Sequence, residues 1–136
     1  MSNAVQNDQD NTEKATHYNS RTIEAIEFIR ELDFALGSVF KYVWRDGLKD
    51  ATTVERKKRN YYIRDALIHR PVTIGVHHAD TLIRKLSLIC DQFENDDFEL
   101  LVAVLSAATG DYTLLAEQAK KHKLFSTAET KFVLKA

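Results

Sequence analysis

Glycine, proline and cysteine are scarce in this 136-residue chain, at four, one and one. So few glycines and a single proline leave little of the turn chemistry that short strands need. Apart from Gly37 they fall between periodic segments, as in helices joined by short connections. The expected fold class is all-α, a single compact domain of about six to seven helices. Four scattered glycines also cannot build a Gly-x-x-x-x-Gly-Lys-Ser/Thr loop, which excludes P-loop phosphate chemistry. The lone Cys90 cannot form an internal disulfide, so a secreted, cross-linked scaffold is not expected. No apolar run approaches the roughly 20 residues of a membrane span, and the first residues lack a signal peptide's apolar segment. A cytoplasmic protein without a membrane partner is expected.

An excess of charge of one sign is also missing, with 19 Lys and Arg against 20 Asp and Glu. The distribution is uneven, however. Residues 41–70 hold nine basic and four acidic side chains, while residues 91–99 hold five acids and no base, which predicts a polarised surface. The basic run Arg56-Lys57-Lys58-Arg59 has no DNA-binding motif around it and reads as solvated, so nucleic acid is not an expected partner. His77, His78 and Cys90 lack the tight spacing of zinc ligands.

Residues 1–16 are polar with little to bury and are expected to form a disordered tail. Residues 17–136 then form the helical domain, with 17–68 as its first part and 77–136 completing the core or forming an interface. The first helix is predicted over about 21–32, capped by Ser20, with Ile26, Phe28, Ile29 and Leu32 inward. The second runs over about 34–45 with Leu36, Val39, Phe40 and Val43 inward, which leaves Ser38, Lys41 and Arg45 in one polar strip. Thr52 and Glu55 form a capping-box pattern for a third helix reaching about residue 68, whose amphipathicity is poor. Further helices are predicted over about 78–93, 97–109, 111–123 and, behind Ser126 and Glu129 as a second capping box, at the C-terminus.

The chemically suggestive residues lie in the first three helices. In order they are His17-Tyr18, Ile23-Glu24-Ala25-Ile26-Glu27, Leu36-Gly37-Ser38, Lys41-Tyr42 with Arg45, Gly47 and Lys49, then Lys58 and Tyr61-Tyr62. In order and spacing these resemble the phage nucleotide kinase-like family of small phage proteins, over about residues 17–63. Ser38 stands where that family has Asn, Glu55 for Asp, Arg56 for Leu and Arg59 for Ala. The last two place bulky charge on the third helix, so a different packing of that helix is expected. The resemblance implies a phage-derived, nucleotide-binding protein of the host bacterial cytoplasm, with phosphoryl transfer to a deoxynucleoside monophosphate as its activity.

The residues themselves are compatible with a phosphate site. Lys41 and Arg45 are one turn apart, and Lys49 and Lys58 could join them to bind phosphate groups. Glu24 and Glu27 could hold Mg²⁺ as a cofactor through carboxylate oxygens. Tyr18 or Tyr42, with His17 and Ser38, would contact the base or the rest of the substrate. Two other readings stay open. One is a non-enzymatic phage factor that binds and inhibits a host protein of defence or nucleotide metabolism. The other is a magnesium-dependent nucleoside triphosphate pyrophosphohydrolase, whose paired elements would be Glu24-x-x-Glu27 and Glu94-x-x-Asp97. A homo-oligomer is compatible with all of these.

Overall fold

The computed structural model describes residues 21–46 and 53–134. Seven α-helices occur among them, α1 (Ile26–Ile29), α2 (Phe34–Arg45), α3 (Thr53–His69), α4 (Val76–Ser87), α5 (Asn95–Ala107), α6 (Thr113–Lys121) and α7 (Thr127–Val133), with a 3₁₀ turn at Cys90–Gln92 and no strand. No described helix is long and apolar enough to cross a membrane.

The central element is α5. Leu100, Leu101, Ala103, Val104, Leu105 and Ala107 are all buried, because α2, α4 and α6 each pack against it. Helix α2 lies between α5 and α3 and buries the inward residues expected of it, Leu36, Val39, Phe40 and Val43, together with Trp44. Asp33 starts it by accepting the Leu36 N–H at 2.9 Å, satisfying one of the donors that a helix N-terminus leaves unpaired. Phe28, Phe40 and Trp44 form an aromatic run with centroids 5.3 and 5.7 Å apart.

The first predicted helix is shorter than its periodicity suggests. Only Ile26–Ile29 is α-helical, and Ile26 faces outward while Ala25 and Phe28 are buried. The cause is Arg21. Its guanidinium lies over the Phe93 ring at 4.1 Å and the Trp44 ring at 5.3 Å, and it donates to the Trp44 and Gln92 carbonyls. These anchors accompany bends at residues 21–23 in place of a helical turn. Likewise α4 ends at Ser87 instead of running to residue 93, and the 3₁₀ turn swings Phe93 edge-on to Trp44 at 5.1 Å. The Ser126–Glu129 capping box forms as expected. The Thr52 cap and the Ser20 cap lie outside the described residues. Between α3 and α4 the chain is a loop, with the Thr73 and Ile74 N–H groups donating to the Ala108 carbonyl.

Candidate functional site

On α2, Ser38, Lys41 and Arg45 occupy the outer strip, opposite the buried Val39 and Val43. Tyr42 turns from that strip towards α3, where its ring stacks on Tyr62 with centroids 6.4 Å apart and planes 13° from parallel. Phe34 and Tyr61 meet Tyr62 edge-on at 5.6 and 5.2 Å. The Lys41 ammonium sits 5.2 Å from the Tyr42 ring, a cation–π distance. Lys58, one turn before Tyr62, is exposed on the α3 side of the same face. Ser38, Lys41, Tyr42, Arg45 and Lys58 are thus carried by one α2–α3 surface. Arg45 differs from the other cations: it pairs with Glu55 at 3.4 Å and its side chain is 13% exposed, so an incoming phosphate would compete with that carboxylate. His17, Tyr18 and Lys49 lie outside the described residues.

Glu24 and Glu27 face a different neighbour. Glu27 accepts the Glu24 N–H through Oε2 at 3.2 Å and ion-pairs with Lys85 of α4 through Oε1. The Lys85 contact, then the Glu24 N–H, hold its carboxyl below the usual range. Mg²⁺ at this pair would have to displace Lys85, and the described residues contain no group of three or more His, Cys, Asp or Glu placed to hold a metal. As arranged, a cation at Glu27 would compete with Lys85.

A second constellation lies where α2 ends, beside the first turns of α3 and α5. A cavity of about 330 Å³ is lined by Asp46, Arg56, Arg59, Glu94, Asp97 and His122, among others. Asp97 is 9% exposed. Burial, followed by the charge and hydrogen bond of Asp46, pushes its carboxyl up to about 7, against the pull of Arg59 and Arg56. Burial and the neighbouring Asp46 carboxylate both disfavour the charged form of Asp97. Arg56 pairs with Asp46 at 3.4 Å. Arg59 is held below its ordinary value by burial, with Asp46 and Asp97 opposing, and its guanidinium donates to Asn60 Oδ1 at 2.9 and 3.0 Å. His122 is lowered by burial first, then by Arg59 and Lys121. The bulky charges at Arg56 and Arg59 are therefore accommodated by acids from α2 and α5. One sequence signal points to Asp97: it is in register with the buried Leu100, Leu101 and Val104, an acid on an apolar stripe.

A family model described as a protein of unknown function (DUF3310) matches residues 12–64. That span takes in α1, α2 and most of α3, including the stacked tyrosines, and ends before α4. No curated protein and no solved structure matches the chain.

Proposed function

We propose that the α2–α3 face binds a nucleotide. The base stacks against the Tyr42–Tyr62 pair, Ser38 contacts the substrate, and Lys41 and Lys58 neutralise phosphate charge from the two sides. The observation that carries this reading is the tyrosine stack with the Lys41 ammonium over the Tyr42 ring. A flat π-surface beside a cation suits a ligand that is aromatic at one end and anionic at the other. Phosphoryl transfer is the activity that the sequence resemblance implies: the γ-phosphoryl of ATP passes to a phosphate oxygen of a deoxynucleoside monophosphate, leaving ADP and a deoxynucleoside diphosphate. No step of this reading runs through Glu24 and Glu27. The pyrophosphohydrolase reading draws no support from their placement, nor from Asp97, which turns to Asp46 and Arg59.

Calorimetric titration with ATP and each deoxynucleoside monophosphate tests the binding. Tyr42→Ala is expected to weaken affinity by about 1–3 kcal/mol, the range for base–aromatic stacking. A Lys41→Ala/Lys58→Ala double variant that binds as tightly as the parent would sink the proposed site. Chromatography of reactions with ATP, Mg²⁺ and each monophosphate tests the chemistry, and neither new diphosphate nor pyrophosphate would remove both enzymatic readings. The host-inhibitor reading is favoured by exposed aromatics, Phe34 and Tyr61, at the edge of the same face. It predicts a stoichiometric host protein in a pull-down that Phe34→Ala abolishes.

A further inference from the structure

Tyr62 is the centre of a ring cluster larger than one base requires. Besides stacking on Tyr42, it meets Phe34 of α2 and Tyr61 of its own helix edge-on. Phe34 and Tyr61 are 76% and 63% exposed, so these rings stand on an open surface and not in a cavity. The basic run of residues 56–59, expected to be solvated, is divided by helix geometry. Arg56 and Arg59 turn to the cavity that holds Asp46 and Asp97. Lys57 and Lys58 are exposed and stand one turn before Tyr61 and Tyr62. The acids near the rings have partners of their own: Asp33 caps α2, Glu55 pairs with Arg45 and Asp65 with His69. Arg64 is tied to Glu129. Among the described residues, no carboxylate forms an ion pair with Lys41, Lys57 or Lys58.

We propose that this face takes a single-stranded nucleic acid, several nucleotides of one strand and not a free mononucleotide alone. One base stacks at Tyr42 and Tyr62, its neighbours stack on Tyr61 and Phe34, and Lys41, Lys57 and Lys58 meet successive phosphates. The inference rests on the nucleotide-binding reading of the same tyrosine stack. A strand carries an anionic charge beside every base, which matches rings interleaved with lysines, and each base offers a π-face whatever its identity. A mononucleotide would leave Phe34, Tyr61 and Lys57 unused. A duplex fits poorly, because its bases are stacked on one another and cannot reach the rings.

Fluorescence anisotropy of the full chain with labelled oligothymidylate, and with thymidine monophosphate as competitor, tests this. Affinity is expected to rise by about tenfold or more between the mononucleotide and a strand of about eight nucleotides, with a duplex of that length binding far more weakly. An oligouridylate arm tells RNA from DNA as the source, and such a rise with either strand supports the proposal. Phe34→Ala and Tyr61→Ala should each weaken strand binding by about 5- to 150-fold, the range for one base–aromatic stack, with mononucleotide binding and the far-ultraviolet circular dichroism spectrum unchanged. Strand affinity should fall with salt at a logarithmic slope of about −2, from three phosphates at about 0.7 each, and Lys57→Ala should reduce that slope by about 0.7. A strand that binds no tighter than the mononucleotide overturns the proposal and leaves the nucleotide site standing, and so does a duplex that binds as well as the strand. Equal losses of strand and mononucleotide in Phe34→Ala and Tyr61→Ala would show that these rings only position Tyr62, which also overturns it. No strand binding, with a host protein still captured through Phe34, would assign the face to a protein instead.

Discussion

Asp97 shows how much one side chain can depend on its surroundings. On the page of the sequence it is one acid among five in residues 91–99; in the fold it is the one charged group among the described residues drawn into the buried set, facing Asp46 just past α2, Arg56 and Arg59 from α3, and His122 from the end of α6. Its carboxyl, raised to about 7, holds a proton that an unfolded chain gives up near the ordinary value of about 4. The folded state therefore binds more protons than the unfolded state between those values, and stability contributed by this group falls as pH rises from about 4 to about 7, then levels off. His122 acts oppositely: its lowered value favours the folded state as pH rises towards its ordinary 6.5. Asp97→Asn, which keeps the shape and removes the titration, is expected to flatten the falling component. Urea midpoints measured from pH 4.5 to 7.5 check this, and a variant with the parent's slope would show that Asp97 is not the source of the falling component. The lowered carboxyls of Glu27, Asp96 and Glu129 act below this window, where acid removes their stabilisation.

At the scale of elements, helix boundaries follow local hydrogen bonding. Asp33 accepts the Leu36 N–H, so Asp33→Ala is expected to cost about 1 kcal/mol of stability, the usual penalty for a lost N-cap. Thermal or urea denaturation reads this directly, and no loss would mean that α2 is held entirely by packing. The limits of α2 were legible because its apolar period is complete within its own twelve residues, whereas the Asp33 cap appeared only in the structure. The same proximity made Ser38, Lys41 and Arg45 legible as one strip. Helix α1 was overread because its period was sound but Arg21 found better partners, the Trp44 and Phe93 rings and two distant carbonyls, than a first helical turn could offer. Arg64 makes a similar long-range tie, binding the Leu124 carbonyl and Glu129 to join α3 to the start of α7.

For the molecule as a whole, α5 joins the segment matched by the family model to the helices that follow it. Its buried leucines lie against α2, α4 and α6, so the N-terminal helices share one core with the C-terminal ones. Leu101→Ala is expected to destabilise by about 2–5 kcal/mol, the range for a buried leucine whose cavity only partly collapses. A single cooperative unfolding transition, lowered in both near-ultraviolet signal from Trp44 and far-ultraviolet helical signal, checks that the loss is shared by the whole fold. Two separate transitions would show the two parts folding apart.

The sequence by itself determined the all-α class, the bounds of α2, the Ser126–Glu129 box and the outer strip of α2, since periodicity and capping act over a few neighbouring residues. The tertiary structure decided that Tyr42 stacks on Tyr62, that Glu55 engages Arg45, that Lys85 engages Glu27, and that Asp46 meets Asp97 beside Arg59. Those pairings join residues on different helices, and their energies depend on burial and distance, which exist only once the helices have packed.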